Sequence, residues 1–345
     1  VLILLILLVL KKQLVSLLLE PIVKHNLQNR TLHLEPGLNV VLIGTGSPLP
    51  DKNRAGSCVA VIAGDNFFVV DAGIASAKNI YRVGLDPKDI DGVLMTHFHS
   101  DHIGGLGEMM LQRWADGGHK DKLPIYGPKG VDTIVNGFNQ VYQFDARYRV
   151  AEHGSEVIPE SGAGGIPITF TLADSSNTAT VIFEKDGLKI TVFNVDHRPV
   201  NPAVGYKFEY KGKSIVISGD TKYTESVIQQ AKNADVLIHE ALNIKLVGLI
   251  EKYYPNNGST IKHILHDIPD YHTTPVEVAQ IAKKANVKNV VLYHIIPPLP
   301  SFILEEIFLE GCADIYAGPL IIGVDGLLIH LPLNSNKTEY KKLLK

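Results

Sequence analysis

Cysteine is nearly absent. Only Cys58 and Cys312 occur in 345 residues, far apart, and Cys58 lies within the apolar stretch of residues 58–62. Two buried free thiols are the expectation, and they leave the cellular compartment undecided. A dominant sign of charge is lacking too: 33 Lys and Arg stand against 36 Asp and Glu, for a formal net charge of −3 and a pI near 6.6. Without an overall basic field, a module that only holds nucleic acid is disfavoured, and no stable nucleic-acid complex is expected. Apolar runs are short as well. Residues 1–10, VLILLILLVL, are wholly apolar but stop at Lys11 and Lys12, short of the roughly 20 residues that a bilayer-spanning helix needs. Gly44-Thr45-Gly46 lacks the later glycine of a GxGxxG loop, so it is no dinucleotide fingerprint.

What is present is material for a core. Hydrophobic residues make up 45% of the chain, and its length suits two average domains or one large layered α/β unit. A second apolar run, residues 14–19, follows the lysine pair without a small-residue cleavage site. For residues 1–20 the reading taken is a truncated signal peptide or a retained signal anchor, with membrane association or export following from it. The plain alternative is an amphipathic packing helix on a cytoplasmic protein. Residues 1–37 are then an N-terminal segment, with 21–37 a polar linker, residues 38–334 the folded unit and residues 335–345 a basic tail. Strands are expected at 38–43, 66–70, 91–95 and 123–128, and helices over 107–114 and up to about residue 138. Residues 151–180, rich in Gly, Ser, Ala and Thr, read as a long loop or loose hairpin. His153 within it is either a substrate-side group or a plain surface histidine.

The stretch that organises the chain is Thr96-His97-Phe98-His99-Ser100-Asp101-His102-Ile103-Gly104-Gly105. It supplies three imidazoles and a carboxylate within six residues, more ligands than one ion can use from a single turn. That points to two metals. Imidazole and carboxylate suit Zn2+, with Mn2+ or Fe as alternatives, and no thiolate lies nearby to select a structural zinc finger. On a strand-to-helix loop, His97 and His99 can face one ion while Asp101 and His102 turn toward a second. Further ligands should end apolar runs, because sites in layered α/β folds collect at one end of the strands. Three runs do so, stopping at Asp196-His197, at Gly219-Asp220 and at His294. A fourth, residues 236–238, ends in His239-Glu240-Ala241. Tyr271-His272-Thr273-Thr274-Pro275 precedes a helix, and Thr274 with Glu277 fits a capping box that leaves His272 just outside the helix start.

The pattern HxHxDH followed by glycines resembles the metallo-β-lactamase superfamily, and the opening GTGSPLPDKNRAG with the paired HEA and YHTT segments resembles its tRNase Z branch. The resemblance covers roughly residues 38–330. It implies an α/β fold, the αββα four-layer sandwich, carrying two Zn2+: one on His97, His99 and His197, the other on Asp101, His102 and His294, with Asp220 bridging. It implies that Asp71 supports the histidine loop from behind, with His239 as a further supporting residue. It makes Arg54 a contact for an anionic substrate, unless it is a solvated loop arginine. His272, oriented by Glu240, would protonate the leaving group, while Asp101 positions a metal-activated water. The substrate this implies is a phosphodiester in RNA, and homodimers are usual among relatives. In one respect the chain departs from that branch. The strand of residues 204–210 passes through 211–213 straight into the next, with no room for the arm by which the branch grips tRNA. An insertion at 244–270 is expected to form a lid, with His263 and His266 as surface residues. The missing arm keeps open a small-molecule ester substrate, as in arylsulfatase-like hydrolases, and a non-catalytic metal-binding scaffold is the alternative from another class.

Overall fold

The structure, a computed structural model, describes residues 2–28, 32–172, 178–255 and 259–344. The chain enters through α1 (Leu2–Gln28) and lays down β1 (Gly37–Gly44), β2 (Cys58–Ala63) and β3 (Asn66–Val70). It continues with α2 (Ser76–Arg82), β4 (Gly92–Leu94), α3 (Ser100–Ile103), α4 (Leu106–Gly117), β5 (Leu123–Gly127), α5 (Val131–His153) and β6 (Gly165–Thr169). An antiparallel meander follows: β7 (Ala179–Lys185), β8 (Leu188–Asn194), β9 (Val204–Tyr210) and β10 (Lys213–Ile217). Then come α6 (Glu225–Gln230), β11 (Val236–Leu242), α7 (Ile244–Tyr253), α8 (Thr260–Asp267), α9 (Pro275–Ala285), β12 (Asn289–Ile296), α10 (Phe302–Phe308) and β13 (Leu320–Ile322). β14 (Leu327–Pro332) and β15 (Glu339–Lys342) return to the first sheet, whose order is β15-β14-β1-β2-β3-β4-β5-β6. The second sheet runs β13-β12-β11-β10-β9-β8-β7.

The apolar runs explain the layers. Leu38, Val40 and Leu42 of β1 point between the sheets, where they share a core with Ile190, Val192, Tyr206 and Phe208 of the second sheet. Val41 and Ile43 point the other way, into a core with α2 and α4. A strand buried on both faces needs a continuous apolar run in place of alternation, which is how β1 reads. The second sheet repeats the device: Ile215, Ile217 and Ile238 face inward, while Val216 and Leu237 pack beneath α6 and α9. The expected αββα four-layer sandwich is therefore the fold observed. β3 to β6 run parallel, as do β10 to β13, so the strand ends that carry loops from both sheets meet along one rim. β9 passes to β10 through Lys211 at φ 46° and Gly212 at φ 84°. Two left-handed residues make the tight hairpin that suits the strand twist, and the link is too short to carry an arm.

Several boundaries differ from expectation. The helix ending near residue 138 runs on to His153, because its inward face keeps contact with α4 and β6. The supposed loop of 151–180 contains β6, which adds in parallel to β5 and makes the edge of the first sheet; residues 173–177 lie outside the described residues. The supposed linker begins as helix, since α1 continues through Pro21 to Gln28, and Leu32 then donates its N–H to the Gly84 carbonyl at 2.6 Å. The tail is a strand as well: β15 pairs with β14, and Leu343 and Leu344 pack on the core beneath α2 and α4. As for the expected signal anchor, no helix among the described residues is long and apolar enough to cross a membrane. α1 carries Lys11, Lys12, Glu20 and Lys24 within its length.

Candidate metal centre

The candidate ligands gather where strands stop. After β4, the loop presents His97 and His99, and α3 then lifts Asp101 and His102 toward the same point. β8 leads to His197 and β10 to Asp220. His294 arrives by another device. The pairing of β11 with β12 jumps from Glu240–Tyr293 to Ala241–Ile295, so His294 is the extra residue of a bulge, at φ 46°. A bulge re-aims one side chain, and a left-handed histidine is a geometry that its surroundings must hold in place. The Ile295 N–H, donating to the Thr45 carbonyl at 3.0 Å, fixes the strand just beyond it.

One oxygen is central. Asp220 Oδ2 lies 3.3 Å from His294 Nε2, 3.4 Å from His102 Nε2, 3.9 Å from His97 Nε2 and 4.0 Å from His197 Nε2. On one side of it His97 Nε2 and His99 Nδ1 stand 3.0 Å apart. On the other, Asp101 Oδ2 is 3.1 Å from His294 Nε2 and 3.4 Å from His102 Nε2. Among the described residues three overlapping groups result, His97, His99, His197 and Asp220, then Asp101, His102 and His294, and then Asp220, His272 and His294, each with its atoms within 4.8 Å of one another.

The outer nitrogens decide which lone pairs face inward. His102 Nδ1 lies 2.8 Å from Asp71 Oδ2, which also accepts from Thr96 Oγ1 at 2.8 Å, while Asp71 Oδ1 accepts from the Thr96 N–H at 2.8 Å. The Thr96 hydroxyl has thus spent its proton on Asp71, so at 3.1 Å His97 Nδ1 must donate to it. His197 Nδ1 donates to the Tyr271 carbonyl at 2.9 Å. Hydrogens held on Nδ1 leave the Nε2 lone pairs of His97, His102 and His197 aimed at the centre.

Burial and charge sort these groups further. Burial holds His97 well below the usual imidazole range, and pushes His197 down to about 4. For Asp220, burial opposes the charge, but His294 and His102 outweigh it and hold the carboxyl well below its ordinary value. The reverse occurs at His102 and His294, where burial is outweighed by Asp220 and Asp101 and the imidazoles rise. The carboxylates therefore favour positive charge on the side of His102 and His294, while burial disfavours it at His97 and His197. Buried His102 Nε2, His197 Nε2 and Asp220 Oδ1 have no hydrogen-bond partner, a condition that buried polar atoms rarely tolerate. A donor set of imidazoles and carboxylates without sulfur, with its lone pairs convergent, fits metal coordination.

Beside the pit, His272 Nδ1 lies 3.2 Å from Glu240 Oε2, an ion-pair distance without hydrogen-bond alignment. The other oxygen of Glu240 accepts from the Thr273 N–H at 2.8 Å and from the Thr221 N–H at 3.4 Å. The capping box forms as its residues suggested, with Thr274 and Glu277 bonded reciprocally, so His272 stands in extended backbone before α9. Burial pushes His272 down to about 4, while burial and Asp220 together raise Glu240 well above the carboxylate range.

Arg54 is drawn inward: its side chain is 6% exposed and Nη1 donates to Thr45 Oγ1 and to the Gly323 carbonyl, both at 2.6 Å. Nη1 thereby braces the loop after β1, and Arg54 lines a cavity together with Ser100 and Asp101. His153 ends α5, exposed beside Glu152, on a helix packed against α4, β5 and β6, none of which carries a candidate ligand. His239 is wholly buried, with Nδ1 on the Glu240 carbonyl at 2.7 Å. His263 and His266 are exposed. Four groups went unremarked in the sequence: Thr96, the Tyr271 carbonyl, Thr221 and Asp325. Only Thr96 carried a signal there, as the first residue of the histidine stretch.

Residues 66–295 match the beta-lactamase superfamily domain. A ribonuclease Z from Mycobacterium avium (strain 104) is 32% identical over 290 residues, covering 84% of this chain and 96% of the relative. One from Mycobacterium bovis (strain BCG / Pasteur 1173P2) is 34% identical with the same coverage. Among solved structures, the metallo-beta-lactamase fold protein YhfI from Bacillus subtilis superposes with a TM-score of 0.59 at 20% identity, covering 85% of this chain and 98% of its own. Human tRNase Z, short form, gives 0.55 at 21% identity, covering 85% and 99%.

Proposed function

The chain belongs to the beta-lactamase superfamily and, within it, to the ribonuclease Z family of metal-dependent hydrolases, and on that footing we propose that it is a dinuclear zinc phosphodiesterase of tRNase Z type acting on RNA. The observation that carries the reading is Asp220 Oδ2, within 4.0 Å of four imidazole nitrogens, those of His97 and His197 in one ligand set and of His102 and His294 in the other. A carboxylate so placed would serve as a ligand on both sides of the site. When bound, the ions supply an activated water and offset charge on the phosphoryl oxygens.

The chain's own residues then divide the proton work. Asp101, fixed by His294 and His102, orients the attacking water and accepts its proton. His272 turns Nδ1 toward Glu240 and so offers Nε2 to the departing oxygen. The pair starts with two protons, one on the Glu240 carboxyl, which burial raises, and one on the neutral His272 imidazole, which burial lowers. As the bond from phosphorus to the leaving oxygen breaks, that oxygen takes the proton of His272 Nε2, and Nδ1, once aligned with Glu240 Oε2 3.2 Å away, takes the carboxyl's proton, so no alkoxide is released. The Thr273 and Thr221 N–H groups hold Glu240 in place for that transfer.

The test sets three substrates side by side with the zinc-loaded chain: an RNA hairpin with a 3′ extension, a nitrophenyl phosphodiester and an aryl sulfate. Turnover of both diesters is expected, with RNA cleavage falling about 10²- to 10⁴-fold in His272→Ala. Loss on the nitrophenyl diester should be smaller, because that group departs without a proton. Preference for the sulfate, or an RNA rate indifferent to His272, would overturn the assignment.

A further inference from the structure

The insertion between β11 and α9 is built as a small unit of its own. Asn243 opens it, donating its N–H to the Ile296 carbonyl at 2.8 Å and capping α7 through its side chain, which accepts from the Leu246 N–H at 3.0 Å. Leu265 and Ile268, from α8 and the turn after it, pack with Leu242, Val247 and Ile296 in an apolar cluster separate from the three layers of core. Leu49, from the loop after β1, and Tyr271 close that cluster.

Tyr271 is where this unit meets the metal centre. Its carbonyl accepts from His197 Nδ1 at 2.9 Å, and its ring stands edge-on to the His197 ring, with centroids 5.5 Å apart at 77°. It also lies 5.1 Å from the His272 ring. The other candidate ligands are steadied differently: His102 and, through Thr96, His97 rely on Asp71 at the end of β3, deep in the first sheet. Thus one ligand of one set is bonded directly to the insertion, whereas in the Asp101, His102 and His294 set the insertion reaches only Ile296, beyond the point where the Ile295 N–H is held by the Thr45 carbonyl.

We infer that the insertion is a positioning element for the His97, His99 and His197 set, and that the packing around Leu265 and Ile268 governs how firmly that set alone holds its ion. The inference rests on the dinuclear reading above. If the cluster loosens, Tyr271 draws away, His197 loses the acceptor that keeps its hydrogen on Nδ1, and its Nε2 lone pair is no longer fixed toward the pit. Partners of ligating histidines typically govern affinity by 10- to 100-fold.

The test uses the full chain stripped of metal, with Zn2+ titrated in competition with a chromogenic chelator and Co2+ followed by its visible spectrum. The variants are Leu265→Ala, away from every candidate ligand, Tyr271→Ala and Tyr271→Phe. One of the two affinities should fall about tenfold or more in Leu265→Ala and Tyr271→Ala, with a changed Co2+ spectrum for that ion. The other should stay within about twofold, and Tyr271→Phe should match the parent chain. Equal weakening of both ions, or unchanged affinities beside a lower melting temperature of the metal-free chain, overturns the positioning role. A parent chain that takes up fewer than two ions overturns both this inference and the dinuclear reading. Two ions bound with unaltered affinity in all variants overturns this inference alone.

Discussion

Replacing Asp71 by asparagine tests the logic of the site without changing its volume. Asp71 accepts three hydrogen bonds: Oδ1 from the Thr96 N–H, and Oδ2 from Thr96 Oγ1 and from His102 Nδ1, all at 2.8 Å. In Asp71→Asn the amide oxygen must stay with the Thr96 N–H, so the amide NH2 faces two groups that are themselves donors. The least costly escape is for His102 to move its hydrogen from Nδ1 to Nε2, which places a proton where the inward lone pair was. The Thr96 hydroxyl must turn as well, and with it goes the acceptor that sets His97. Losing such a partner typically costs 10- to 100-fold in metal affinity, or about 1.4 to 2.8 kcal/mol per ligating histidine. Chelator competition near pH 7.5 should therefore show weaker Zn2+ binding by at least tenfold, while far-ultraviolet circular dichroism stays unchanged. Parent-like affinity in Asp71→Asn would refute the assignment of the tautomers and of Asp71 as their source.

Three further outcomes follow from particular residues. Asp220→Asn removes the charge shared by four imidazoles, so metal analysis after dialysis should find at most one bound ion; two would discard the bridging role. Asp325 accepts from the Thr45 N–H, Thr45 Oγ1, the Ala55 N–H and Asn79 Nδ2 at 2.7 to 3.0 Å. Asp325→Ala strands those donors and should cost about 2 to 5 kcal/mol in urea unfolding, a figure sunk by any loss below about 1 kcal/mol. Burial pushes the Cys312 thiol up to about 11 from 9.0. The folded chain thus holds that proton more tightly than the unfolded chain, and the associated stability is complete below 9.0 and declines as pH rises toward 11. At pH 8 only about 1 in 10³ of the folded-state thiol is thiolate, so a thiol reagent should label Cys312 slowly until the chain is unfolded. Equal rates in buffer and in urea would contradict the burial argument.

The sequence disclosed most where one chemical demand acts on neighbouring residues. The histidine stretch and the strand-end ligands stood out because metal coordination needs donors clustered along the chain or placed at strand ends. The capping box declared His272 in the same way. It disclosed least where the cause is tertiary. Arg54 lies in a loop whose composition suits a substrate contact, yet nothing local marks that its Nη1 braces Thr45 and the Gly323 carbonyl, a residue 269 positions away. The bulge at His294 depends on how β12 registers against β11, and no local pattern marks it. α5 outran its expected end because contact with α4 and β6 extends a helix that its composition would let stop. β15 was taken for a tail because a short, basic edge strand looks like solvent-exposed chain until its partner is known.

The pairing of β1 with β14 also governs the order in which the molecule can form. Gly37 registers with Pro332 and Leu42 with Leu327, so one edge of a central strand is completed by residues made roughly 300 positions later. Contacts this distant along the chain pay their loop-closure entropy before they return any stability, and folds dominated by them form slowly. At about 5 to 20 residues per second of synthesis, some 300 residues separate the two strands by roughly 15 to 60 seconds. Throughout that interval the β1 edge, apolar on both faces, has no partner on that side. The nascent first half is therefore the stage at which aggregation or chaperone capture should be greatest, and release of the final strands is the step that ends it.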